Sequence, residues 1–87
     1  MAQVALEIRY SDEVLRTLRR LNKRDLIRQK VEELANDPES QRTNVIRLQG
    51  RPEFQLRVQD WRVIFRIEEN VLWIDKVLPR GSAYEVL

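Results

Sequence analysis

The sequence predicts an α+β domain: an N-terminal strand, an antiparallel helical hairpin, then an antiparallel four-strand meander, with the helices on one face of the sheet. Three observations predict it. Apolar and polar residues alternate over residues 3–10, so the chain opens as a half-buried strand. Apolar residues then recur at helical spacing over residues 14–35. From residue 45 the alternation returns and persists across short turns, the pattern of consecutive antiparallel strands.

In "QVALEIRY", Val4, Leu6, Ile8 and Tyr10 share one side of the strand, and Ala5, Glu7 and Arg9 share the other. Ser11 is placed to cap a helix, with Asp12 and Glu13 in the first turn, where carboxylates meet the positive end of the peptide dipoles. Val14, Leu15, Leu18 and Leu21 form its apolar stripe, and Asn22 is expected to end it in the left-handed conformation. Residues 23–35 form the second helix, with Leu26, Ile27, Val31, Leu34 and Ala35 inward, and "NDP" at 36–38 stops it. Arg16, Arg19 and Arg20 lie on the outer face. The basic groups of both helices read as a solvated surface matched by nearby acids. Residues 38–44 read as a polar loop. The strands that follow are "VIRLQG" at 45–50, "FQLRV" at 54–58, "WRVIFRI" at 61–67 and "VLWIDKVL" at 71–78. The tail "PRGSAYEVL" reads as a short strand or a helical turn.

Eighty-seven residues make one small domain, spanning 1–87. The chain is 43% hydrophobic and 34% charged, which suits a compact soluble protein. It has no cysteine and no histidine, which removes disulfides, thiolate metal sites and the commonest general base at neutral pH. No metal or cofactor is expected. No apolar run reaches the roughly 18 residues of a membrane span. The opening "MAQVALEIRY" carries Glu7 and Arg9 where a signal peptide needs an apolar core. A cytoplasmic protein without membrane contact is expected.

Net charge is only +2, but residues 42–66 hold six arginines against Glu53 and Asp60. Arginine outnumbers lysine thirteen to three. Its planar fork grips phosphate through two hydrogen bonds and stacks on bases. A two-residue turn at Gln59-Asp60 pairs residues whose numbers sum to 119. Val58 then faces Trp61, Leu56 faces Val63 and Phe54 faces Phe65, all on the core side. On the other side Arg57 faces Arg62, and Gln55 faces Ile64. The register that buries the apolar residues therefore opposes two like charges. Either an outside anion satisfies them, or Asp60, Glu53 or Asp75 neutralises them. Trp73 falls on the arginine face near Arg66. It can stack a nucleobase, stack on Arg66, or stand as a partly buried surface tryptophan.

Residues 60–84, "DWRVIFRIEENVLWIDKVLPRGSAY", carry an aromatic-Arg-hydrophobic strand, a hairpin, and a last strand ending in an arginine followed shortly by a tyrosine. Leu48 and Gly50 supply an L-x-G before the site strands. Together with the order of elements, this resembles the RelE/ParE superfamily of bacterial type II toxins. The resemblance implies a RelE-like fold and a cognate antitoxin, whose acidic side chains cover the basic face or which lies along the helical hairpin. RelE-type members cut mRNA in the ribosomal A site without metal. By that resemblance Arg62 and Arg80 hold phosphate oxygens, and Arg57 stands by the scissile phosphate. Tyr84 is a base or a stacking platform. Glu53 is a base or a partner of Arg51 or Arg57. Arg47, Arg51, Gln55, Arg66 and Trp73 are the expected nucleic-acid contacts around them. The chain departs from RelE-type members by carrying Glu53 and Gln55 where lysines are common. ParE-type relatives use the same fold against DNA gyrase, and a degenerate toxin would only bind its antitoxin.

Overall fold

The computed structural model describes residues 5–82. Among them five strands form one sheet in the order β1-β5-β4-β3-β2: β1 (Glu7–Tyr10), β2 (Val45–Arg47), β3 (Phe54–Val58), β4 (Trp61–Glu68) and β5 (Val71–Pro79). Helices α1 (Asp12–Arg19) and α2 (Arg24–Asn36) connect β1 to a 3₁₀ helix at Pro38–Asn44, which leads into β2. The meander β2 to β5 is antiparallel throughout. The N-terminal strand lies parallel to β5, with Ile8 beside Leu72 and Tyr10 beside Ile74. The two helices carry the chain from one edge of the sheet to the other.

The core is the seam between the helices and one sheet face. Val14 and Leu18 of α1 and Ile27, Val31, Leu34 and Ala35 of α2 pack against Leu56, Val58, Val63, Phe65, Leu72, Ile74 and Val77. Leu6, Ile8, Tyr10, Phe54 and Trp61 close its margins. Ser11 fastens α1 to the sheet. Its hydroxyl accepts from the Val14 N–H at 3.1 Å and donates to the Asp75 carbonyl at 3.1 Å.

Several local expectations are corrected. Asn22 does not take a left-handed conformation; among the described residues positive φ occurs only at Gly50, Gln59, Glu69 and Asn70. The N–H groups of Arg20 and Leu21 close α1 onto the Thr17 and Leu18 carbonyls at 3.1 and 3.2 Å, so a left-handed cap is unnecessary. Residues 38–44 are not an irregular loop. Pro38 opens a 3₁₀ helix, and Gln41 within it is buried, its amide donating to Glu33 Oε2 at 3.3 Å. Strand β2 ends at Arg47: Leu48 still donates to the Glu53 carbonyl at 3.1 Å, and the chain then turns through Gly50 at φ 74°. Of the tail, residues 80–82 turn helical after β5, and residues 83–87 lie outside the described residues.

Tyr10 gives the fold an alkaline limit. The ring lies under the Arg28 guanidinium, 5.2 Å from its centroid. Burial raises the Tyr10 pKa, the Arg28 charge lowers it, and the Glu32 charge raises it; the net direction is upward from 10.0. The folded state therefore holds the phenol proton more tightly than the unfolded chain. The contribution to stability is complete below the unfolded value and is lost as pH rises through the folded one. Urea unfolding from about pH 9 to about pH 11.5 is expected to show a steeper alkaline decline for the wild type than for Tyr10→Phe. Equal declines would remove Tyr10 from the account.

Candidate nucleic-acid interface

The helices cover one face of the sheet, and the other carries Arg57, Arg62 and Arg66, whereas Arg47 pairs with Phe54 and falls on the helix side. Arg57 pairs with Arg62 across β3 and β4, and Val58 pairs with Trp61, Leu56 with Val63 and Phe54 with Phe65. The two-residue turn forms although Gln-Asp is a poor hairpin sequence. Gln59 takes φ 53°, the positive value that the first central residue of a tight hairpin turn needs. Three apolar pairs on the core side hold the register that this backbone cost opposes.

Arg62 is only 5% exposed. One terminal nitrogen donates to the carbonyls of Gln59 at 2.8 Å and Trp61 at 2.9 Å. The hairpin turn thus holds one edge of this guanidinium in place. Arg57 beside it is exposed. Together with Gln55, Thr43, Asn44 and Ile46 they line a hollow of about 170 Å³. Among the described residues no carboxylate lies within 4.0 Å of either guanidinium. The acids that could have neutralised them are engaged elsewhere or stand apart. Glu53 lies 3.8 Å from Arg51, Asp75 lies 3.1 Å from Arg66, and Asp60 is an exposed turn residue.

Arg66 is in the opposite situation. Between β4 and β5 the register shifts at Ile64/Phe65, so Lys76 faces Ile64, Ile74 faces Phe65, and Asp75 is the extra residue. The bulge aims Asp75 at Arg66 Nε at 3.1 Å, while Glu68 reaches the same guanidinium at 2.8 Å. Trp73 stacks beneath it, 5.0 Å from guanidinium carbon to ring centroid. Burial acts to lower the Arg66 pKa, but the Glu68 hydrogen bond and the Asp75 and Glu68 charges outweigh it and hold the group above its ordinary value. Arg66 and Trp73 therefore satisfy each other. Arg66→Ala is expected to lower stability by about 1–2 kcal/mol, the sum of a cation–π contact and two partly exposed ion pairs. A double-mutant cycle with Asp75→Asn checks it, and zero coupling would show that the pair adds nothing to stability.

The remaining site residues are scattered. Arg47 and Arg51 line a separate, wider hollow of about 640 Å³ formed by the β2–β3 loop, with Leu48, Gln49, Gly50 and Pro52. Glu53 is half-buried beside Arg51 and does not line the Arg57–Arg62 hollow. Arg80 is exposed just past β5, its backbone N–H donating to the Asp60 carbonyl at 2.8 Å, so it starts at the rim of the same hairpin turn. Tyr84 lies outside the described residues. Thr43, Asn44 and Ile46 were not anticipated. The signal for Ile46 was its pairing with Gln55 across β2 and β3, and the 3₁₀ helix brings Thr43 and Asn44 in behind it. Two guanidinium groups, an amide-bearing wall and a threonine hydroxyl around one small hollow make a chemistry suited to a tetrahedral oxyanion.

A family model described as the ParE toxin of the type II toxin–antitoxin system parDE matches residues 8–84. No curated protein sequence matches. Among solved structures, the chain is similar to one in the archaeal RelE–RelB complex from Pyrococcus horikoshii OT3, at 24% identity and TM-score 0.76, covering 90% of this chain and 98% of that one. It is similar to a chain of the RelB–RelE antitoxin–toxin complex from Methanococcus jannaschii, at 16% identity and TM-score 0.69, covering 90% and 96%. It is also similar to the isolated E. coli RelE toxin, at 16% identity and TM-score 0.69, covering 95% and 100%. These likenesses carry the fold. With the family model spanning almost the whole chain, the protein belongs to the RelE/ParE superfamily of type II toxin–antitoxin toxins.

Proposed function

We propose that the protein is a metal-independent endoribonuclease that cleaves mRNA on the ribosome. One observation carries the reading: Arg57 and Arg62 stand side by side over a hollow, with no carboxylate within 4.0 Å among the described residues. In the reaction the ribose 2′-hydroxyl attacks the adjacent phosphorus, its proton leaves to a base, and the 5′-oxygen departs and is protonated. A 2′,3′-cyclic phosphate and a 5′-hydroxyl result. Arg62, held by the turn, and Arg57, exposed beside it, bind the non-bridging oxygens as charge grows on them. Arg80 at the rim serves the same charge. Glu53 stands by Arg51 away from the hollow, which leaves Tyr84 as the candidate to take the hydroxyl proton. The partner in storage is a cognate antitoxin whose acidic side chains satisfy Arg57 and Arg62, as RelE toxins are found in complexes with RelB. The protein acts in the cytoplasm, where ribosomes are.

A second reading, inhibition of DNA gyrase, is favoured by the match to the ParE toxin family. It needs no general base, and among the described residues no carboxylate or tyrosine lines the hollow. The purified protein is to be incubated with ribosomes translating a defined message, and separately with gyrase and supercoiled DNA. Message cut within the ribosomal A site is expected. Cleaved or trapped DNA with intact message would reject the ribonuclease. Unimpaired growth on expression without an antitoxin would reject both and leave an antitoxin-binding module.

A further inference from the structure

The stretch from Arg16 to Arg24 holds Arg16, Arg19, Arg20, Lys23 and Arg24 and no acid. The expectation that acids on the helices match these charges is not met. Among the described residues none of the five has a carboxylate within 4.0 Å, and all five are exposed. Among the described residues the basic group on the helices that finds one is Lys30, with Glu33 at 3.1 Å.

The place of this patch makes it more than a solvated surface. Arg16, Thr17 and Arg20 line a hollow of about 480 Å³ with Trp61 and Pro79, and among the described residues Glu13 is the one acid on its wall. Glu13 belongs to the first turn of α1, where the helix N-terminus already receives its charge. Trp61 and Arg62 are neighbours in β4, so their side chains leave on opposite faces. The α1 hollow and the Arg57–Arg62 hollow therefore lie on opposite faces at the end of the sheet where the β3–β4 turn sits, the first over β4 and β5 and the second over β2, β3 and β4. Arg80 sits on the rim between them, tied to Asp60. Asp60 is the acid of that rim and is exposed to water.

We propose that a single RNA strand with one phosphate in the Arg57–Arg62 hollow continues round the β3–β4 turn onto the α1 side, where Arg16 and Arg20 bind its backbone beside Trp61. The proposal deepens the ribonuclease reading and rests on it for the position of the first phosphate. The α1 side supplies charge along the strand's backbone, so it lengthens the footprint and adds affinity.

Fluorescence anisotropy with labelled, uncleavable 2′-O-methyl RNA tests it, using a trinucleotide and a nonanucleotide on the purified chain. The wild type is expected to bind the nonanucleotide at least roughly tenfold more tightly than the trinucleotide. Arg16→Gln with Arg20→Gln, both exposed positions, should erase that advantage and leave trinucleotide binding unchanged. The slope of log Kd against log salt should fall by about 1.4, about 0.7 for each single-strand phosphate that the variant no longer neutralises. An advantage that survives the double substitution, or that the wild type lacks, overturns the proposal. Arg57→Gln separates the two claims. If it leaves trinucleotide binding intact while the double variant still loses the length advantage, the hollow is not the phosphate site, and binding on the α1 side stands alone.

Discussion

Arg57→Gln is expected to disarm the toxin while making it slightly more stable, whereas Arg62→Ala should disarm it while making it less stable. Both arginines line the same hollow, so if the protein is the proposed ribonuclease, either substitution should lower the rate of message cleavage, by roughly 10²–10³-fold for each oxyanion donor removed. Their structural situations differ. Arg57 is exposed, opposes Arg62 directly, and has no carboxylate within 4.0 Å among the described residues. Removing its charge relieves a repulsion worth about 0.2–1 kcal/mol across a strand pair. Arg62 is 5% exposed and donates to two turn carbonyls. Truncating it forfeits those bonds and costs about 1–3 kcal/mol. The gain at Arg57 should shrink in 1 M salt, because screening weakens the repulsion that was relieved. Single-turnover cleavage on ribosomes gives the rates, and urea unfolding gives the stabilities. If both variants shift stability in the same direction, the opposed pair is not a strained functional feature.

The largest effect on folding is expected at Phe65. It lies in β4 between β3 and β5, is 2% exposed, and stacks on Phe54 with centroids 5.5 Å apart and rings 19° from parallel. Phe65→Ala should cost about 3–5 kcal/mol through reduced burial and the cavity that remains. A domain of this size has only about 5–15 kcal/mol in total, so the variant should be largely unfolded well below the wild-type melting temperature. Phe54 is half-buried at the margin of the core, and Phe54→Ala should cost less. Calorimetry or urea unfolding of the two variants tests the order. A loss below about 1 kcal/mol at Phe65 would mean that the site collapses easily and that β4 does not organise the core.

Much of this architecture is legible in the chain itself. Alternation is a local property, so the four strands of the meander can be read from it, and a two-residue turn then sets which residues face each other. That is enough to bring Arg57 opposite Arg62 from the sequence alone, as the folded sheet has them. The helix start at Ser11 is legible for the same reason, since a cap and the N–H it satisfies are three residues apart.

What needed the folded molecule was every pairing between groups distant in sequence or offset by a backbone irregularity. Nothing in alternation says that β1 crosses to lie parallel with β5, because a strand's own pattern does not name its neighbour. Arg66 and Arg57 look alike in the sequence, yet a bulge of one residue in β5 turns Asp75 toward Arg66, while Arg57, a strand further across the sheet, has no carboxylate within 4.0 Å among the described residues. On the helices, the mixture of acids and bases suggested mutual neutralisation, but an ion pair needs approach within a few ångströms, and the run from Arg16 to Arg24 has none among the described residues. Composition and spacing determined the scaffold and the juxtaposed arginines of this protein; three-dimensional distance alone decided which of its charges remain for a partner.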